Sequence, residues 1–195
     1  MQRFVRALVI GLAVAMGAAG AHAAMKMTPM VEDMIEHHIA QLQKWTADPV
    51  IVKAVSEQNQ RGPLAGMDNG KWKEMRRRDP MIMSFRSNEA SQFLEGKQEA
   101  SKGMISQLVL SAAAGETVAF TKKPTQYLSK GAPEFDTPLH SGNIWRGEPI
   151  FDPTIQTHVL PVAAPVLVDG KPAGVLVIAI QLGHMEKMNK THMHR

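Results

Sequence analysis

The sequence predicts an α+β domain in which long N-terminal helices pack on one face of a central antiparallel sheet. Three observations carry this. Helix-start signals fall early: Thr28-Pro29, Asp48-Pro49 and Asp79-Pro80 each place a side-chain acceptor ahead of a proline. The β-rich runs are confined to the region after Met104. Asp169-Gly170, between two of those runs, is a strong signal for a tight hairpin turn.

The chain opens with Arg3 and Arg6, then an apolar or small-residue run from Ala7 to Gly20, then Ala21-His22-Ala23. This is the charged, apolar and small-x-small order of a cleavable secretory signal peptide over residues 1–23, with the mature protein expected to begin at Ala24. The apolar run is short of the ~20 residues that a spanning helix needs. No later stretch is long and apolar enough to cross a membrane. The expectation is export to the periplasm, a single domain over 24–183, and a polar Met/His-rich tail over 184–195.

After the Thr28-Pro29 start, Val31, Met34, Ile35, Ile39, Leu42 and Trp45 recur at helical spacing and form one apolar stripe. Asp48-Pro49 begins a second helix, or continues the first after a kink, and Gly62-Pro63 stops it. Gly66 to Gly70 reads as a polar loop. The basic run Lys71, Lys73, Arg76, Arg77 and Arg78 reads as a solvated helix face, open also to an acidic partner or lipid headgroups. A third helical pattern follows Asp79-Pro80 through Ile82, Phe85, Phe93 and Leu94.

Ile105 to Val109 and Thr117 to Thr121 then form a hairpin around Ala114-Gly115-Glu116. Pro124 to Asn143 carries loop and short-helix signals. His158 to Val168 is strand-like, and Pro161 and Pro165 within it mark an edge or a bulge, because proline cannot donate to the ladder. Ala173 to Leu182 is almost continuously apolar, as expected of a strand buried on both faces.

Composition excludes several chemistries. There is no cysteine, so there is no disulfide, lipid-modified cysteine, covalently attached haem, Cys-ligated metal or thiol nucleophile. The formal charge of +4 loses two arginines with the signal peptide and does not point to nucleic acid. No Gly-x-Ser-x-Gly, His-Glu-x-x-His, P-loop or Gly-x-Gly-x-x-Gly motif occurs, and the chain reads as a binding module, not a catalyst. Its oddity is methionine, 14 residues, clustered with histidine at the ends. Thioether and imidazole together suit copper, which makes His184, His192, Met193 and His194 a candidate metal set. His37 and His38 are adjacent on a helix and face different ways.

Four stretches carry a resemblance: Asp48-Pro49 to Gln58-Asn59; Ser87-Asn88-Glu89-Ala90-Ser91 with Phe93-Leu94; Ile105 to Thr121; and Pro165-Val166-Leu167-Val168-Asp169-Gly170-Lys171-Pro172-Ala173-Gly174-Val175-Leu176. Together they resemble the extracytoplasmic PAS-like sensor domains called Cache or PDC domains, over about Asp48 to Gln181. The resemblance implies a pocket roofed by the segment from Phe120 to Trp145. It makes Tyr127, Trp145 and Arg146 the leading ligand-binding candidates, converging in one cavity, with Phe120, Thr121 and His158 beside them. Pro124-Thr125-Gln126-Tyr127-Leu128 departs from the family's usual acidic and tryptophan-bearing stretch, and the set that reads amino-acid ligands in some members is not recognisable.

The implied function is a free-standing periplasmic sensor that binds a small molecule, an anionic one among the candidates, and signals to a membrane-bound receptor or histidine kinase. An exported copper-binding protein is one alternative. The other is a ligand-free interaction module, dimeric through its long N-terminal helix.

Overall fold

The computed structural model describes residues 27–184; the expected signal peptide, His192, Met193 and His194 lie outside the described residues. Helices come first. Helix α1 (Pro29–Thr46) is capped by Thr28 and buries Val31, Ile35, Ile39, Leu42 and Trp45 along one stripe. Helix α2 (Pro49–Arg61) starts where the Asp48 carboxylate accepts from the Val50 N–H at 3.0 Å, and it ends at Gly62. Three shorter helices follow: α3 (Asn69–Glu74), α4 (Pro80–Ser87) and α5 (Glu89–Ala100), capped by Asp68, Asp79 and Asn88. Each of these caps is a side-chain oxygen accepting one of the N–H groups that a helix start leaves unpaired.

The sheet is built from β1 (Ile105–Ala112), β2 (Thr117–Phe120), β3 (Trp145–Arg146), β4 (Ile150–Asp152), β5 (Thr157–Val168) and β6 (Lys171–Gln181). Helix α6 (Pro133–Ser141) falls between β2 and β3. All pairings are antiparallel, in the order β2-β1-β6-β5-β3, with β4 also on the outer side of β5. The Asp169-Gly170 turn joins β5 to β6 with positive φ at both residues, as a two-residue hairpin demands. The α+β architecture expected from the sequence is the one observed. The short strands β3 and β4 were not anticipated, and the basic run expected as one helix face is split between α3, which ends at Glu74, and the loop before α4.

The two prolines of β5 do not interrupt its pairing with β6, where Pro161 lies opposite Ala179 and Pro165 opposite Val175. The cost falls on the other side. The Pro161 carbonyl accepts from the Gly147 N–H at 2.9 Å, so its missing donor also faces outward, between β3 and β4. The edge signal in the sequence therefore marks the break between two short outer strands rather than an end of the β5–β6 ladder.

Register sorts the sheet into two faces, because residues paired across the ladder share a side. Ala119, Leu110, Leu176 and Ala164 form one rung, and Leu108, Ile178 and Val162 another. These join the main core beneath α1, α2 and α5. The opposite rung, Phe120, Val109, Val177, Ala163 and Trp145, feeds two smaller clusters. The sheet is thus apolar on both sides.

Two polar staples fix the helices to the sheet. On α2, Asn59 accepts from the Ala113 N–H and donates to the Ala173 carbonyl, both at 2.8 Å, which ties both hairpins to one helix. At the start of α5, Asn88 donates to the Val118 carbonyl at 2.9 Å, and Ser91 Oγ accepts from the Phe120 N–H at 3.1 Å while donating to the Phe85 carbonyl. These bonds satisfy the outer edge of β2, which would otherwise stand open to pairing with another chain.

Gly174 sits where α2 crosses the sheet. A Cβ built there would fall 2.5 Å from the Ser111 carbonyl oxygen and 2.9 Å from Val55. Backbone on one side and a buried helix residue on the other leave no room to adjust. Gly174→Ala should therefore lower unfolding free energy by about 1–3 kcal/mol, read as an earlier midpoint in urea with an unchanged slope.

Candidate functional site

Asn88 is both the C-cap of α4 and the N-cap of α5, held in an extended conformation (φ −72°, ψ 158°). The chain therefore turns sharply between the two helices, and a cleft of about 790 Å³ opens between α4–α5 and α2. Its walls are Lys53, Gln58 and Arg61 from α2, Leu64 from the loop that follows, Met81 and Phe85 from α4, and Glu89 from α5. Lys53 and Glu89 approach to 3.7 Å across the mouth, both well exposed, so this contact closes nothing firmly.

The end of the cleft at Gln58, half-buried and in contact with the buried Glu116, is its inner end. Gln58 Nε2 donates to the Gly62 carbonyl at 2.7 Å and to Glu116 Oε1 at 3.3 Å. Glu116 lies in the β1–β2 turn and is 1% exposed. Its second oxygen, Oε2, has no hydrogen-bond partner.

Behind the cleft wall lies an aromatic cluster on the sheet face opposite the main core. Phe85 lines the cleft and also meets Trp72 at 5.4 Å, Phe120 at 6.2 Å and Tyr127 at 6.4 Å between ring centroids. Tyr127 is fully buried, and its hydroxyl accepts from the Leu64 N–H at 2.9 Å. Burial pushes the Tyr127 pKa up, the Leu64 bond pulls it back, and the nearby Glu116 raises it further. Trp72, fully buried, donates from Nε1 to the Pro124 carbonyl at 2.8 Å. Lys123 sits 4.9 Å over the Trp72 ring and donates to the Trp72 carbonyl, and burial lowers its pKa. Asn69 accepts from the N–H groups of Tyr127 and Leu128 and donates to the Leu128 carbonyl, pinning the segment after β2 to α3.

The structure divides the residues that the sequence grouped together. Tyr127 and Phe120 share the aromatic cluster, one layer behind the cleft. Trp145 packs in a second patch with Ala132, Phe135, Ala163 and Val175, under α6. Arg146 follows Trp145 in β3 and so points to the opposite face. There its Nη2 donates to both carboxylate oxygens of Glu32, at 2.8 and 3.1 Å, and its Nη1 lies 3.6 Å from Glu36 of α1. The single cavity expected for Tyr127, Trp145 and Arg146 is thus not formed: strand alternation sends the last two to different sides, and Arg146 is already engaged as an anchor for α1.

Thr121 Oγ1 accepts from the Leu108 N–H at 3.1 Å, a structural role between β2 and β1. His158, on β5, sits edge-on to Phe151 at 5.4 Å. Of the candidate metal set only His184 is described, with its ring against Gly103. No group of three metal-ligating side chains occurs among the described residues. His37 and His38 lie ring to ring at 5.6 Å, and burial, then the neighbouring His37, lowers the His38 pKa.

Sequence reasoning missed Trp72, which the surrounding lysines and arginines disguised as part of a solvated face. It also missed Glu116, because a carboxylate in a predicted turn carries no sign of burial. The signal that could have found Trp72 was Asp68, a helix cap placed just ahead of a lone apolar residue.

No protein-family model and no curated protein matches the chain. Solved structures do. The ligand-binding domain of the amino acid chemoreceptor PctC of Pseudomonas aeruginosa PAO1, in complex with GABA, superposes with a TM-score of 0.50 at 14% identity, over 82% of this chain and 60% of that one. The E. coli DcuS sensor domain gives a TM-score of 0.49 at 10% identity, over 83% of this chain and 98% of the other. The ligand-binding domain of the Campylobacter jejuni chemoreceptor Tlp3 with L-valine gives 0.42 at 13% identity, over 83% and 67%. This chain has the PDC/Cache sensor fold, and it spans about 60% of the length of the PctC domain.

The two tryptophan-and-arginine features differ in energetic weight. Trp72→Ala removes a fully buried indole from the aromatic cluster and should cost about 3–5 kcal/mol. Arg146→Ala breaks a partly exposed ion pair and should cost about 1 kcal/mol or less. Urea unfolding of the two variants side by side checks the ranking.

Proposed function

We propose that this chain is an extracytoplasmic ligand-binding sensor module whose small-molecule site is the cleft between α2, α4 and α5. The observation that carries this reading is the fold, shared with the ligand-binding domain of a chemoreceptor over four fifths of the chain. The cleft supplies the place: it is concave, with apolar lining at Leu64, Met81 and Phe85 and polar lining at Gln58, Ser84 and the charged Lys53, Arg61, Glu57 and Glu89. A non-catalytic role accords with the sequence, which carries none of the catalytic motifs considered above.

Export by a cleaved signal peptide fits the first residues, and no helix among the described residues is long and apolar enough to cross a membrane. A module of this kind would pass occupancy to a separate membrane-bound receptor or kinase. The exposed basic residues of the α3–α4 segment, Lys73, Arg76, Arg77 and Arg78, are available for contact with an acidic partner.

A ligand that binds only the native state stabilises it, by about 2.7 kcal/mol at a hundred times Kd, and so raises the unfolding midpoint. For a domain of this size that is roughly 5–10 °C. A thermal-shift screen of small amines, carboxylates and amino acids should find at least one such compound. Ser84 is exposed and lines the cleft, so Ser84→Trp should abolish the shift while leaving the unliganded midpoint close to that of the parent. A shift that survives in Ser84→Trp would place the site elsewhere.

Export is checked separately. N-terminal sequencing of protein from the envelope fraction should read from Ala24, and an intact Met1 would refute cleavage.

A further inference from the structure

The inner end of the cleft has a polarity of its own. An amide nitrogen carries two hydrogens, and both of those on Gln58 Nε2 are taken, one by Gly62 and one by Glu116. The orientation of the Gln58 side chain is therefore set. Its remaining polar atom, Oε1, has no hydrogen-bond partner among the described residues and is not among the buried unpartnered atoms. Gln58 lines the cleft, so this acceptor is presented to whatever enters.

Glu116 adds charge behind that acceptor. It is buried, it touches Gln58 through one oxygen only, and its other oxygen is unpartnered. Glu116 is in no ion pair among the described residues. Lys53 and Arg61 stand at the exposed rim, where water and salt screen them, and Lys53 already faces Glu89. A buried charge acts through a medium of lower dielectric and reaches further than an exposed one. The accessible atom of the inner end is therefore an acceptor, with a buried carboxylate directly behind it.

Resting on the reading that this cleft is the ligand site, we propose that its inner end recognises a protonated amine, with the ammonium donating to Gln58 Oε1 and an apolar chain lying along Leu64, Phe85 and Met81. Glu116 is a positioning residue: it holds the Gln58 amide in its acceptor-inward orientation and supplies the field that favours a cation. The ligand class is a small primary amine with an apolar tail.

Three probes with the same chain and different heads test this by calorimetry on the full chain: n-hexylamine, 1-hexanol and hexanoate. Hexylamine should bind at least about tenfold more tightly than either of the others, the size expected of one charge-assisted hydrogen bond. Glu116→Gln keeps an acceptor for Gln58 and removes the charge. It should cut the amine-to-alcohol affinity ratio by about tenfold while leaving hexanol binding unchanged, a pattern that loss of structure alone would not give. Gln58→Leu should abolish the preference for amine. Hexanol or hexanoate binding as tightly as hexylamine, or a ratio unchanged in Glu116→Gln, overturns the proposal. If those probes are still blocked by Ser84→Trp, the cleft itself stands as the site. If no probe and no compound of the wider screen binds, the cleft reading fails and the amine subsite fails with it.

Discussion

The sheet has two apolar faces, and a chain of this length has to cover both. That constraint organises the rest. One face carries Leu108, Leu110, Leu176, Ile178 and Val162, and three helices, α1, α2 and α5, are used to bury it. The other carries Phe120, Val109, Val177 and Ala163, and no long helix remains for it. It is closed by short pieces: α6 with Phe135 over one half, and Trp72, Tyr127 and Phe85 over the other. Large rings suit this task because each fills much space for few ordered residues. Their polar handles are engaged locally, the Trp72 indole N–H by the Pro124 carbonyl and the Tyr127 hydroxyl oxygen by the Leu64 N–H.

Covering the second face with aromatics has a consequence for where a ligand can go. The space over Phe120 and Val109 is filled by Trp72 and Tyr127, both at 0% exposure. The open volume lies one layer out, against α2, and Phe85 is shared by both regions: one side of it faces the cleft while its neighbours are core rings. The cleft is thus walled by elements that the core itself fixes. Asn59 locks α2 to both hairpins, and Asn88 and Ser91 lock the α4–α5 junction to the edge of β2. A site bounded by three helices so anchored is held in shape before anything binds, which lowers the ordering cost of binding.

Legibility in the sequence followed the range of the interaction concerned. Thr28, Asp48 and Asp79 cap helices through bonds to residues two or three positions away, and Asp169-Gly170 makes its turn with its own dihedrals, so these were readable from neighbours alone. The stretches that carried the family resemblance turn out to hold the long-range staples, Asn59, Asn88, Ser91 and Gly174. Trp145 and Arg146 could not be placed, because their two-residue strand exists only through pairing with Ala163 and Val162, and nothing local shows which face each would take. The partner of Arg146 is Glu32, more than a hundred residues earlier, and an arginine next to a tryptophan looks the same in sequence whether it awaits a ligand or holds a helix. Glu116 is the sharpest case. A glutamate in a turn between strands reads as solvated, and only the packing of α2 and the bridge from Leu128 bury it.

The burial of Glu116 is what gives the cleft direction. A buried carboxylate oxygen without a partner is expensive, on the order of 1–3 kcal/mol or more, and folding of the β1–β2 turn has to overcome that. A neutral residue at the same place would relieve the cost, and Gln58 would still have Gly62 to hold it. The charge is therefore not explained by the stability of the turn. Its contact runs outward, through Gln58, to a cleft whose exposed lining carries both signs. Rim charges in water set little beyond the rate of encounter, whereas a fixed acceptor backed by a buried charge discriminates between head groups once the ligand is seated. The same carboxylate sits in the turn that begins β2, and β2 is the strand whose far edge is held by the α4–α5 junction. The inner end of the cleft and its α4–α5 wall are thus both attached to one short strand, one at its start and the other along its edge. Whatever neutralises Glu116 acts on a strand that both walls share.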